Sequence, residues 1–239
     1  MLYIIGLGLG DEKDVSVRAV ELAKACDCYV ELYTNKWFGS LEGLDRVLGR
    51  TVKLLKRHDL EDKLDVFLKE AKTHDVALFV PGDPLAATTH ATIILEARKK
   101  KIAVKLLHNA SIFSAIGETG LHLYKFGRTA TVPFSGKLQA VKDALAVNRK
   151  AGLHTLLLLD LDAEVKLYMT VQDALKILIK GKVLRPMDTV VAAAGLGTDQ
   201  AQIQWGTAKE LLLKSTGTPA VLIVPGKLHF HEKEFLEGL

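Results

Sequence analysis

The chain has 239 residues, 49% of them apolar and 25% charged, with a net charge of +4. That length supports one large domain or two modest ones with a real core, and the balance is that of a soluble globular protein. The mild charge does not call for a nucleic-acid partner, no apolar run reaches spanning length and no charged-then-apolar leader opens the chain, so the expectation is a cytosolic protein engaging neither nucleic acid nor membrane.

Leu2-Tyr3-Ile4-Ile5 reads as a buried strand broken by Gly6-Leu7-Gly8-Leu9-Gly10-Asp11. Val17, Val20, Leu22 and Ala23 form an apolar helical stripe. Cys26 and Cys28 flank one residue at the next strand, Cys28 to Leu32, and so share a face. They read as small core residues, because a metal pair would need further Cys or His nearby. The loop Tyr33 to Ser40 carries Trp37 and Phe38. A short helix, Leu41 to Leu48, leads to the strand Val52 to Leu55. Asp59 is placed to cap a helix carrying Leu64, Phe67 and Leu68.

Val76-Ala77-Leu78-Phe79-Val80 is a buried strand feeding Pro81-Gly82-Asp83-Pro84. Two prolines around Gly-Asp force a sharp turn where the strand ends, and ligands of α/β sheets bind at that edge. The turn reads equally as a strand–helix junction in which Asp83 or Thr88 caps the helix from Ala91, with Thr88 preferred. Ile102 to Leu107 is a further strand. Alternation to this point predicts a mainly parallel sheet with helices on its faces.

At His108-Asn109-Ala110-Ser111 the pattern changes. A helix from Ile112 follows, then a short strand at Ala130 to Val132, and a helix from Leu138 to Lys150 with Gly152 as its C′ glycine. The strand Leu156 to Leu159 ends in Asp160-Leu161-Asp162, and Thr170 to Asp173 reads as a capping box. Strands near Val190 and Ile203 flank a glycine loop, Thr207 to Lys214 is helical, and Ala220 to Val224 is the last strand before His229 and a tail. The expectation is two α/β domains, 1–110 and 111–239, with a mainly parallel sheet in the first and a mixed sheet in the second.

The first glycine loop has the setting of a dinucleotide fingerprint, with Glu31 about twenty residues on. Counted from Gly6, however, the third glycine is Asp11, an acid where a phosphate needs amides. The glycines instead keep a strand end flat so that a ligand or another loop can approach. No Gly-Lys-Ser/Thr triplet, nucleophile elbow or zinc motif occurs. Methyl transfer from S-adenosyl-L-methionine suits the pattern better: that donor has no phosphate, needs acids for its amine and ribose, and reacts by an in-line displacement that depends on alignment. Asp83 is the candidate acid. His90, His108, His122 and His229 are scattered without a readable partner, and each is read as structural.

Four blocks carry a resemblance: Met1 to Asp14, Gly82 to His90, His108 to Leu121 continuing through Tyr124 to Gly127, and Pro225 to Phe230. Long, in order and spread over the chain, they resemble the archaeal diphthine synthases, and Gly6 to Asp11 with Gly82-Asp83-Pro84 resemble the broader tetrapyrrole methylase superfamily. The resemblance implies two α/β domains with the donor in the cleft between them. It implies an S-adenosyl-L-methionine-dependent enzyme without a metal that trimethylates the amino group of a 3-amino-3-carboxypropyl-histidine on translation elongation factor 2, giving diphthine. It implies a cytoplasmic homodimer. Carried over by position, donor contacts fall on Leu9, Asp83, Ala86, Ser111, Ile112, Leu161 and His229. Asn35 departs from the family's usual serine, and the stretch Val165 to Tyr168 is less standard, which bears on the placing of Leu161. A growing ammonium invites the rings of Tyr33, Trp37 or Tyr124, though each is read first as ordinary packing. The catalytic proton acceptor is unassigned. A small-molecule methylase and a non-catalytic adenosyl-binding regulator are the other readings.

Overall fold

Apolar runs of four or five residues, each stopped by glycine, proline or a polar cluster, become β1 (Leu2–Gly6), β2 (Asp27–Glu31), β3 (Val52–Leu55), β4 (Val76–Val80) and β5 (Val104–Leu107). The computed structural model describes all residues, 1–239. The chain divides into two compact units, residues 1–112 with 162–165, and residues 113–161 with 166–239. The detour of 162–165 into the first unit is not announced by any shift in composition.

In the first unit the five strands lie in the order β3-β2-β4-β1-β5, and every pair is parallel. β4 is central and all five of its residues are buried, as a strand covered on both faces must be. Successive side chains go to opposite faces. Leu2, Ile4, Val76 and Leu78 meet α4 (Leu64–Thr73) and α5 (Ala91–Lys99) through Leu64, Phe67, Leu68, Ile93 and Ala97. Ile5, Ala77, Phe79 and Val30 meet α1 (Val17–Ala23) and α2 (Leu41–Leu48) on the other face. On α1 the buried positions are Ala19 and Ala23, while Val17 is exposed, so the core stripe is rotated from the one expected. Cys26 and Cys28 are free and buried against that face.

The expected caps differ in two places. Asp59 does not cap α4. It sits in α3 (Arg57–Leu60), and its carboxylate accepts from the Lys56 amide at 2.9 Å. The helix α5 starts at His90 without a side-chain cap, so neither Asp83 nor Thr88 caps it.

The second unit holds α6 (Ile112–Ala115, opening on the last residue of the first unit), β6 (Ala130–Val132), α7 (Gln139–Ala151), β7 (Thr155–Leu159), the short pair β8 (Leu161–Asp162, whose Asp162 belongs to the first unit) and β9 (Leu167–Tyr168), α8 (Val171–Lys180), β10 (Thr189–Ala194), β11 (Gln202–Thr207), α9 (Ala208–Leu211), β12 (Ala220–Val224) and α10 (Phe230–Glu237). Its sheet runs β11-β10-β12-β7-β6, antiparallel except for the parallel β6–β7 pair. Gly152 ends α7 in the left-handed conformation, as expected. Thr170 caps α8 by accepting from the Asp173 amide, while its hydroxyl donates to the Asp173 carboxylate.

The tail expected after β12 is a helix, α10, pinned by one buried acid. Glu232 is fully buried and accepts from the His122 amide at 2.9 Å, the His229 amide at 2.7 Å and His154 Nε2 at 3.0 Å, and it pairs with the Lys125 ammonium. His154 Nδ1 accepts from the Gly226 amide at 2.9 Å, which leaves Nε2 as its donor. Burial works to raise the Glu232 pKa, but the Lys125 ammonium and the converging amides hold it down at about 2. A carboxylate so depressed contributes stability above its unfolded value and loses it as pH falls towards the folded one. Urea unfolding should therefore show the wild type weakening as pH drops from about 4.5 towards 2. Glu232→Gln should be less stable at pH 7 by about 3–5 kcal/mol, the range for stripping one partner from a buried ion pair, and should lack that acid-dependent loss.

Candidate functional site

The parallel sheet puts the ends of β4, β1 and β5 side by side, so the loops that follow them are neighbours. The glycine loop after β1 and the turn after β4 are joined main chain to main chain. The Gly8 amide donates to Gly82 O at 3.2 Å and the Gly82 amide to Gly8 O at 2.9 Å. Both residues have positive φ, 82° and 69°. A Cβ on Gly6 would lie 2.4 Å from Gly82 O, so glycine there is what lets the turn come this close. This matches the expectation that the glycines serve approach of another loop. Asp11 accepts from the Lys13 amide at 2.9 Å and Asp14 from the Gly10 amide at 2.7 Å, so the acids of this loop are turned onto its own backbone.

The third loop is tied in by Asn109, which the sequence reading did not single out. Its side-chain amide donates to Gly6 O and to Asp14 O, each at 3.0 Å. Its backbone amide donates to Asp83 Oδ2 at 3.2 Å. The Asp83 carboxylate also accepts from the Leu85 amide at 2.9 Å and lies 2.8 Å from His108 Nδ1. Asp83 thus gains a partner that its scattered spacing in the sequence concealed. Its side chain is only 13% exposed. Three of about four acceptor sites on the carboxylate are engaged, and one remains for an external donor. Ala87, next to Ala86, is held left-handed at φ 56°, a conformation that costs an alanine about 1–2 kcal/mol and persists only where the surroundings impose it.

Five of the residues singled out from the sequence therefore fall on three adjoining loops. Leu9 lies after β1, Asp83 and Ala86 lie after β4, and Ser111 and Ile112 lie after β5; Ser111 is buried and the other four are half-buried. The other two lie in the second unit. Leu161 follows β7 and His229 follows β12, and because those strands are antiparallel the two residues sit at opposite ends of the pair. The structure does not bring Leu161 and His229 together. His229 caps α10, with its ring 5.4 Å from that of His122. Of the rings considered for an ammonium, Tyr33 is buried, Trp37 packs at the edge of the core, and Tyr124 is 83% exposed with its hydroxyl 3.1 Å from His122 Nδ1.

Beside these loops, at the end of β2, stands a fully buried acid. Glu31 accepts from the amides of Tyr33 at 3.0 Å and Thr34 at 3.1 Å and from the Thr34 hydroxyl. Burial pushes its pKa up to about 7 against those donors. His90 Nε2 lies 3.4 Å from Glu31 Oε1, and burial pushes the imidazole down to about 4.

S-adenosyl-L-methionine fits the three-loop edge. The open acceptor site of Asp83 can take an ammonium or hydroxyl donor of the kind S-adenosyl-L-methionine carries.

Residues 1–212 match the family model of the Tetrapyrrole (Corrin/Porphyrin) Methylases. The chain is 37% identical over 251 residues to the diphthine synthase of Methanococcus maripaludis, covering 100% of this chain and 98% of the relative. It is also 37% identical over 265 residues to the diphthine methyl ester synthase of Schizosaccharomyces pombe, covering 100% and 94%. A crystal structure of diphthine synthase superposes with a TM-score of 0.92 at 37% identity, covering 100% of this chain and 95% of that one. The chain belongs to the tetrapyrrole methylases and, among them, to the diphthine synthase family. Its activity is S-adenosyl-L-methionine-dependent methyl transfer in the diphthamide pathway.

Asn109→Ala removes the two bonds that lash the third loop to the first. It should lower stability by about 1–3 kcal/mol, the range for stranding a buried acceptor, here Gly6 O, and speed hydrogen exchange at the Gly8 and Gly82 amides. An exchange rate unchanged from wild type would show that the glycine pair stands without Asn109.

Proposed function

We propose that this member of the diphthine synthase family trimethylates the amino group of the 3-amino-3-carboxypropyl-histidine of translation elongation factor 2. The donor, when bound, supplies a methyl group on a sulfonium and leaves as a neutral thioether. The residues read as its contacts are Leu9, Asp83, Ala86, Ser111 and Ile112 in the first unit, with Leu161 and His229 carried from the family resemblance. Asp83 carries the reading: an almost shielded carboxylate, fixed from three directions at the edge of a parallel sheet, has one acceptor site left for an ammonium or a ribose hydroxyl. The Gly8–Gly82 main-chain ties fix the frame that carries Leu9, Asp83 and Ala86, which supports a displacement that depends on alignment.

The number of methyl groups is a separate proposal. Similarity to an archaeal diphthine synthase and to a yeast methyl ester synthase is equal at 37%. Three transfers to nitrogen follow from the four sequence blocks, which resemble the archaeal enzymes. The reading also carries a cytoplasmic homodimer that docks a folded protein substrate.

Two measurements test it. Label from S-adenosyl-L-methionine should pass to elongation factor 2 bearing the unmethylated precursor, and mass spectrometry of the modified peptide should count three added methyls; a fourth, base-labile one would mark ester formation instead. Asp83→Ala should weaken donor binding at least tenfold by calorimetry, about 1.4 kcal/mol, and an unchanged affinity would remove Asp83 from the site.

A further inference from the structure

At the three-loop edge the ring of His108 stands against Asp83, with Nδ1 2.8 Å from Asp83 Oδ2. The two halves of this pair differ in exposure: the Asp83 side chain is 13% exposed and the imidazole 65%. A carboxylate can only accept, so Nδ1 carries the hydrogen, and the neutral ring is left with an unprotonated Nε2. No other protein group bonds the ring, so that lone pair is open to whatever approaches the edge.

The carboxylate divides its work. Oδ2 takes His108 and the Asn109 amide, whereas Oδ1 takes only the Leu85 amide. The open acceptor site of Asp83 therefore lies on Oδ1, and an external donor does not compete with the imidazole for an oxygen. The same loop that holds His108 carries Ser111 and Ile112 three and four residues on. The other titratable groups of these loops are committed elsewhere. Asp11 and Asp14 accept from amides of their own loop, and Glu12 accepts from the Ser40 amide at 3.3 Å. His90 is 1% exposed, with Nδ1 3.0 Å from the Thr88 hydroxyl.

Resting on the methyl-transfer reading above, we propose that His108 is the catalytic base: its Nε2 takes the proton that the acceptor amine must lose before each methyl arrives, while Asp83 holds the ring through Nδ1. Each transfer forms one N–C bond with the amine's lone pair and breaks one S–C bond, whose electrons stay on sulfur. Before each, the ammonium gives one proton to Nε2, and the exposed imidazolium passes it to water. After the third transfer the nitrogen carries no proton, and the cycle stops. A shielded carboxylate on Nδ1 fixes the tautomer this requires and balances the charge that forms on the ring. Exposure suits the task, because the acceptor is a side chain of a folded protein and meets the base at the surface.

The test uses the full chain, labelled donor and elongation factor 2 bearing the unmethylated precursor, with both substrates saturating. His108→Asn puts an amide N–H where Nδ1 stood, so it keeps the bond to Asp83 and lacks the base. It should transfer about 100-fold more slowly or worse, within the range for general base catalysis, with donor affinity by calorimetry unchanged. His108→Ala should be as slow, and free imidazoles should restore its transfer, the more basic ones more strongly. The exposed position keeps both variants folded. A wild-type rate in His108→Asn, or a defect in His108→Ala that no imidazole relieves, would overturn the inference while the wild type still transfers label. If the wild type transfers none, the methyl-transfer reading falls and takes the inference with it.

Discussion

A pair of main-chain hydrogen bonds between Gly8 and Gly82 governs the geometry of the first unit's working edge. Two loops from neighbouring strands touch backbone to backbone there, which requires glycine at Gly6 and a positive φ at both partners. Everything proposed for the donor hangs from this joint. Asn109 lashes the third loop onto it, and Asp83 receives the amides and the imidazole that the three loops bring together. The acid gains its orientation from contacts that involve few other side chains. A parallel sheet makes this possible, since it collects the ends of β4, β1 and β5 on one edge.

Much of this was legible in the residues. β4 is fully buried, and its five apolar residues read correctly from end to end because proline and glycine stop it abruptly. The helix Leu41–Leu48 was equally plain, between Ser40 and Gly49. Asp11 in place of a third glycine correctly turned the reading away from phosphate, and the structure shows that acid engaged with its own loop. What failed was local chemistry decided by tertiary context. Thr88 has the chemistry of a cap, but its hydroxyl faces the His90 ring instead. Val17 outranks Ala19 in hydrophobicity, yet α1 turns Ala19 and Ala23 into the core and leaves Val17 exposed.

Two misses share one cause. The helix α10 was read as a tail because its pattern is inverted: Phe230 and Phe235 are exposed while Glu232 is buried. His90 was read without a partner because the acid beside it, Glu31, stands fifty-nine positions earlier at the end of β2. Apolar periodicity finds faces that exclude water. It is blind to a buried acid, whose place is justified only by donors arriving from elsewhere in the chain. Glu232 collects its donors from residues 122, 125, 154 and 229, and no window of sequence holds them all.

The Gly8–Gly82 joint has a consequence for how such a protein changes over time. Hydrogen bonds between main-chain atoms do not read side-chain identity. The register of the two loops survives substitution at every outward position, provided that the glycines and Asn109 stay. Side chains on these loops that touch no donor are thus free to drift while the frame under them holds still. A fold built in this way can exchange one methyl acceptor for another, a macrocycle for a protein side chain, without first having to invent a new place to hold the methyl donor.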